Sequence, residues 1–470
     1  MASNDEQQPI HILFFPFIAP GHLIPVAAMA ALFASRGIKC TILTTPVNAT
    51  VIRSAVDQAN NAFRGTDALA IHISTIPSLM SDSRRASRSV VGISSEADLH
   101  KLLEGVQRLR EPLDRFLAEH HPVPDAVVVD SFYLLFARAC NESLLRNNPF
   151  ALAPDDPDAV VSLPELPHRV ALRRSQVMDP RKDQLQWDYN QLVHAADRRS
   201  YGEVFNSFAE LEPDYVEHYR TTLGRRVWLV GPVAHANASE DDMAPGADRC
   251  LRWLDEKPRG SVVYLAFGTL ANFSAAELRE VARGLQLSGK NFLWVMKCGG
   301  ADTTADASEW MPEGFAELID VGARGLLFRG WAPQRLILEH SAVGGFVTHC
   351  GWNSVLEAVS AGVPLVTWPR HADQFYNEKL VVEVLKMGVG VGASDYASHL
   401  EVRREVISGV KIAEAIDGVM GGNQEAEAIR KKAMELRGKA RSATDKGGTS
   451  YDDVGKLIHE LMARRRSVHS

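Results

Sequence analysis

Short β-rich runs alternate with helical runs along this chain, and the alternation stops once and then restarts. Residues 10–15 (IHILFF), 39–44 (KCTILT), 68–76 and 126–129 read as strands, with helical patterns over 24–34, 48–58 and 96–119 between them. Strand–helix repetition of this kind builds a parallel sheet covered by helices on both faces. Residues 204–207 and 227–230 add two more strand candidates, and 147–183, rich in Pro and Asp, reads as a long surface excursion. A small, polar, acidic stretch over 231–248 then interrupts the pattern and reads as a connector. Beyond it come strands at 262–267, 292–296, 326–328, 345–348 and 365–367, with helices at 275–288, 334–339 and 354–361. Amphipathic helices at 425–443 and 451–464 end the chain. The pattern predicts an α/β protein of two doubly wound domains: 1–235, a linker at 236–249, 250–450, and a last helix, 451–470, returning to the first domain. Open α/β sheets bind ligands at the carboxyl ends of their strands, so the site is expected in the cleft between the domains.

Composition narrows the function. A length of 470 residues with 46% apolar side chains supports two cores, and a formal charge of -7 argues against a nucleic-acid partner. The five cysteines are scattered, with no zinc-type spacing, and read as reduced thiols of a cytoplasmic protein. The first residues are acidic where a secretory signal is basic, and no apolar run reaches the roughly 20 residues that span a bilayer. A monomer without integral membrane contact is expected.

Residues 331–374 read WAPQRLILEHSAVGGFVTHCGWNSVLEAVSAGVPLVTWPRHADQ. This segment resembles the 44-residue signature box of plant secondary-product UDP-glycosyltransferases. The likeness extends to WLDEKPRGSVVYLAFGTL and NFLWV before the box, NEKLVVEVLKMGVGVG after it, and HILFFPFIAPGHLIP near the start. It implies the GT-B fold, two Rossmann-like domains with the donor held mainly by the second.

Transfer from a UDP-sugar requires a grip on uridine, relief of charge on the departing diphosphate, and an orienter for the sugar. Trp331 offers a flat face for uracil, and Gln334 and Glu357 suit the ribose hydroxyls. THCGWNS closes a strand and opens a helix, where free backbone N–H groups and the helix dipole favour a phosphate. His349, Asn353 and Ser354 add side-chain donors, Thr269 faces them from the FGT loop, and the resemblance adds Ala332 and Gly351 to the donor contacts. It also implies that Trp352, Asp373 and Gln374 contact the sugar, the final Gln favouring glucose. Taken singly, Trp331, His349, Gly351 and Gly362 are ordinary packing or turn residues; the joint pattern singles them out.

His22 follows Pro20-Gly21 at the end of the first strand and suits a general base, its imidazole titrating near neutral pH. Asp130 ends the fourth strand, where it can orient the ring. The resemblance implies that the two form the family's dyad, giving inverting O-glucosyl transfer to a flavonoid, other phenolic, terpenoid or hormone-like acceptor. Phe14, Phe17 and Ile18 are candidate acceptor contacts, while His120 and His121 are expected to face solvent. No GxGxxG fingerprint occurs, GVGVG at 388–392 reads as a strand, and the Asp-x-Asp at 156–158 reads as a surface loop, so no cofactor or metal is expected beyond the UDP-glucose substrate. One departure stands out. After VVVDSFY the chain runs straight into LLFARACNESLLRNN, without the helix and the GVPRLVF-type strand that the family carries there, and Tyr133-Leu134 reads as the junction. A non-catalytic UDP-sugar-binding protein is the alternative this implies; a scaffold that merely keeps the fold is a weaker one.

Overall fold

The computed structural model describes residues 8–77, 104–120, 122–130, 135–151, 154–182, 184–233, 247–268, 271, 273–296, 307–319, 324–396 and 405–469. In the first half, β1 (His11–Phe15), β2 (Lys39–Thr44), β3 (Ile71–Thr75) and β4 (Ala126–Val129) form a parallel sheet in the order β3-β2-β1-β4. Helices Pro20–Ala34 and Pro46–Ala62 follow β1 and β2, each with a proline in its first turn, where the missing N–H costs nothing. In the second half, β9 (Val262–Ala266), β10 (Asn291–Met296), β11 (Gly325–Arg329), β12 (Val343–Thr348), β13 (Leu365–Thr367) and β14 (Gly388–Gly390) form a parallel sheet ordered β11-β10-β9-β12-β13-β14. Its strands are near-continuous apolar runs because helices cover both faces. Helix Ala275–Ser288 shows its boundaries in its chemistry: Ser274 and Glu277 form a capping box, and Gly289 closes it in the left-handed region.

Between these sheets lie a parallel pair, β7 (Glu203–Phe205) with β8 (Val227–Leu229), and an antiparallel hairpin, β5 (Val160–Leu163) with β6 (Val170–Arg173). The hairpin corrects the expected surface excursion. Val161, Leu163, Val170 and Leu172 are buried, and they share one core with helix Leu135–Asn147 and the second sheet. Period-two alternation was present (VVSL, VALR), but the surrounding Pro and Asp masked it.

Among the described residues, β4 pairs only with β1, and β7–β8 form a separate pair. Residues 131–134, with the expected junction, lie outside the described residues, as do most of the expected linker and Thr269. Val127 and Val129 are 41% and 60% exposed on a strand that an intact doubly wound sheet would bury. Helix Leu135–Asn147, the next element, joins the core of the second half instead, packing against helix Gln374–Lys379. Helix Thr449–His469 returns to the first half. Its Val454, Leu457, Ile458 and Leu461 complete the core built by Ile10, Phe14, Leu23 and Ile42, and Ser450 donates to the Gly231 carbonyl at 2.6 Å.

Candidate active site

Both sheets turn their strand carboxyl ends towards one cleft. On the first side, His22 lies in the opening turn of helix Pro20–Ala34 and Asp130 immediately follows β4. The His22 Nδ1 and Asp130 Oδ2 are 2.8 Å apart, and Phe17 meets the imidazole edge-on at 5.5 Å. Burial alone would lower the His22 pKa. The charge and hydrogen bond of Asp130, helped by the charge of Asp373 across the cleft, outweigh it and hold the imidazole above its usual value. Ile18 is buried beside Phe17 and Val106 at the same rim. Phe14 is a correction: it is fully buried in the first core against Phe33, because β1 turns that face away from the cleft. His120 is another. It is only partly exposed, its ring stacked on Phe116 at 5.0 Å, and His121 lies outside the described residues.

On the second side, Trp331 is 59% exposed after β11, leaving its ring available as a platform. The buried Ala332 accepts the Gln334 backbone N–H at 2.8 Å and so starts the helix Gln334–Glu339. The Gln334 Nε2 donates to Glu357 at 2.5 Å and to Ser354 Oγ at 3.1 Å, joining three of the expected donor residues in one cluster. Burial pushes the Glu357 carboxyl up to about 7, against the hydrogen bond from Gln334.

His349, Cys350 and Gly351 carry the chain from β12 into the helix Trp352–Ala361. The His349 ring is wedged between two glycines: an added Cβ would come within 2.8 Å of it from Gly268 and 2.5 Å from Gly351. Burial, then the charge of Arg370, hold His349 down at about 4, so at neutral pH the ring is uncharged. Cys350 sits at φ 63, a strained value for a non-glycine residue, and its carbonyl is held by the Asn377 amide at 2.8 Å.

Asp373 precedes helix Gln374–Lys379; burial lifts its carboxyl to about 6, although Asn377 donates to it at 3.1 Å. The Gln374 oxygen accepts the backbone N–H groups of Arg370 and His371 at 2.9 and 3.0 Å, which fixes this buried side chain inside the loop. The Trp352 indole donates at 2.7 Å to the carbonyl of Asn206, in the first half. Thr348 Oγ1 lies 3.3 Å from His349 Nδ1. Asp156 and Asp158 lie exposed in a turn before β5, where Asp158 pairs with Arg173 at 3.2 Å.

Sequence reasoning passed over Arg370, which is almost fully buried. It bonds Glu277 at 2.8 Å and lies over the Phe273 ring at 4.2 Å, bracing the loop after β9 beneath His349. The cue was a charged residue between the apolar run LVTWP and the Asp-Gln pair.

A family model described as "UDP-glucoronosyl and UDP-glucosyl transferase" matches residues 247–400. Scopoletin glucosyltransferase of Nicotiana tabacum is 39% identical over 493 aligned positions, covering 98% of this chain and 99% of that protein. The chain belongs to the plant UDP-glycosyltransferases. Anthocyanin 3'-O-beta-glucosyltransferase of Gentiana triflora is 37% identical, covering 96% of this chain and 98% of its own length. Among solved structures, Glycyrrhiza uralensis UGT73P12 complexed with glycyrrhetinic acid 3-O-monoglucuronide superposes with a TM-score of 0.85 at 34% identity, covering 98% of both chains. Phytolacca americana UGT2, complexed with UDP-2fluoro-glucose and pterostilbene, gives 0.71 at 25%, covering 96% and 99%. This UDP-glycosyltransferase therefore has the GT-B fold. Its alignment with the tobacco enzyme is longer than its own 470 residues, so that relative carries positions this glycosyltransferase lacks. Among the described residues, no helix is long and apolar enough to cross a membrane.

Proposed function

We propose that this glycosyltransferase moves glucose from UDP-glucose to a hydroxyl of a small lipophilic acceptor, phenolic or terpenoid, with inversion at the anomeric carbon. The observation that carries the reading is the 2.8 Å contact of His22 with Asp130, on a cleft whose other wall holds Asp373 and the start of helix Trp352–Ala361. With its Nδ1–H directed to Asp130, the imidazole keeps Nε2 as the base. The acceptor oxygen attacks the anomeric carbon as Nε2 takes its proton, and UDP leaves from the opposite face. Asp130 stabilises the imidazolium. The diphosphate departs towards the backbone N–H groups at the helix start, with the neutral His349 and the Ser354 hydroxyl as further donors. Trp331 stacks the uracil, and Gln334 with Glu357 takes the ribose. The reaction runs without metal or resident cofactor, in the cytosol and by a monomer. Glucose as the transferred sugar is supported by two of the relatives, scopoletin glucosyltransferase and anthocyanin 3'-O-beta-glucosyltransferase.

The test is incubation with UDP-glucose and a panel of phenolic and terpenoid acceptors in the presence of a chelator, reading UDP release and glucoside mass. Product of β configuration supports the mechanism. A second reading has its own observation, the exposed face of β4 next to Asp130: a protein that binds UDP-sugar without turning it over. UDP binding in a titration, with no product from any acceptor, selects that reading.

A further inference from the structure

The helix that carries the base has a built-in gap. In an α-helix the Gly21 carbonyl would accept the N–H of the residue four positions on. That residue is Pro25, which has none. The carbonyl opens towards the cleft, and the Asn353 side-chain amide donates to it at 2.7 Å from the second residue of helix Trp352–Ala361. Gly21 immediately precedes His22, and a Cβ added there would lie 4.0 Å from the Asn353 nitrogen, so this close approach meets no side chain.

A second link starts one residue earlier. The Trp352 indole donates at 2.7 Å to the Asn206 carbonyl, and the Asn206 side chain accepts the Val233 N–H at 3.0 Å, where the chain leaves the first half. Gly231 packs so tightly on Asn206 that a Cβ would fall 2.3 Å from its Oδ1. Two successive residues at the helix start are thus fastened to the first half, one beside the base and one at the exit strand.

We propose that Asn353 and Trp352 act as positioning residues, a clasp that uses the carbonyl left open by Pro25 to set the general base against the bound donor. The proposal rests on the donor site proposed above. An amide nitrogen carries two N–H groups. One reaches Gly21, and the other is placed to meet the leaving diphosphate at the same helix start, so one side chain touches both the charge that develops and the turn that holds His22. The Trp352 indole is committed to the clasp, which leaves its backbone N–H for the donor.

Pro25→Ala gives the decisive variant because it changes no side chain proposed to bind either substrate. It returns an N–H to the helix as a competitor for the Gly21 carbonyl and removes a proline from a helix interior, so thermal stability is expected to hold or rise. The single-turnover rate of glucoside formation is expected to fall about tenfold, since small misplacements of reacting groups cost factors of this size or more. UDP affinity by calorimetry stays within about twofold. Trp352→Phe, which keeps an aromatic ring and loses the N–H donor, gives the same split. Hydrogen exchange reads the clasp without turnover: UDP slows exchange over residues 17–34 of the wild type, and this protection is lost in Pro25→Ala although UDP still binds. Unchanged single-turnover rates in both variants, or full UDP-induced protection in Pro25→Ala, overturn the proposal. So does a parallel loss of rate and UDP affinity in Trp352→Phe, which would make the indole a donor ligand. A wild type that protects residues 17–34 on binding UDP but makes no glucoside sinks the catalytic reading and leaves the clasp standing. A flat UDP titration of the wild type removes the donor site and the clasp with it.

Discussion

Charge at single side chains fixes how this glycosyltransferase responds to pH. The His22 imidazole must be neutral to accept a proton, and Asp130 and Asp373 hold its pKa above the usual 6.5 against the opposing effect of burial. Activity is therefore expected to fall along an acid limb lying above pH 6.5. Asp130→Asn removes the largest raising influence and leaves burial, so the limb should move to lower pH while the plateau drops; pH profiles of kcat/KM for the two proteins check this. His22→Ala should cost about 10²–10⁴-fold in rate with UDP affinity nearly unchanged, the scale of general-base catalysis. Equal turnover would remove His22 as the base. Stability follows a different histidine. His11 is buried at the start of β1, bonded to Thr41 at 2.9 Å, and burial with the charges of Lys39, His120 and His72 lowers it to about 4. Its folded-state pKa lies below the unfolded value, so its stabilising contribution is complete above pH 6.5 and is lost as pH falls towards 4. The melting temperature of the wild type relative to His11→Gln should shrink across that window. A constant difference would exclude the titration of His11 as the cause.

At the scale of elements, β4 is where the first sheet ends among the described residues. Its alternation is legible in the structure: Ala126 and Val128 pack on the first core, while Val127 and Val129 turn outwards into solvent. Val127→Thr and Val129→Thr should each change unfolding free energy by no more than about 0.5 kcal/mol, as exposed positions do. Val128→Thr places a hydroxyl against the core and should cost about 1 kcal/mol or more. Urea unfolding compares them, and a large loss at Val129 would mean that a covering element protects this face in solution. The sequence made the strands on either side readable because buried parallel strands are unbroken apolar runs, and it located helix Ala275–Ser288 through its cap residues. It was weaker where tertiary contacts decide. The β5–β6 hairpin is short and polar on one face, and only its packing against helix Leu135–Asn147 shows which residues are core. The proposed donor cluster was legible because it lies in one continuous segment. The Arg370–Glu277 pair and the Asn353–Gly21 bond were not, since each joins residues distant along the chain.

Across the whole molecule, the cores do not divide where the chain does. One core gathers β1 to β4 with Val230, Val233 and the last helix. The other runs from helix Leu135–Asn147 and the hairpin through the entire second sheet. In an unbroken sheet a strand beside β4 would join the two; here, among the described residues, β4 ends its sheet, and the join falls to β8, which lends Trp228 to the first core and Val227 and Leu229 to the second. The smaller unit, with its exposed β4 face, is therefore expected to unfold on its own. Calorimetry should resolve two transitions. The proposed UDP site is built on elements of the larger core, so UDP at about 100 times its dissociation constant should stabilise that transition by about 2.7 kcal/mol and leave the smaller one almost unmoved. The clasp adds two hydrogen bonds between the units, beside those the last helix makes through Asp453 to the Leu229 N–H and through Thr449 to Glu210, and it aligns His22 while both units are folded. A single transition that UDP shifts as a whole would show that the two units stay cooperative despite the shortened sheet. The break at β4 would then be bridged by contacts stronger than the clasp, and loss of activity could not be assigned to separate melting of the half that carries the base.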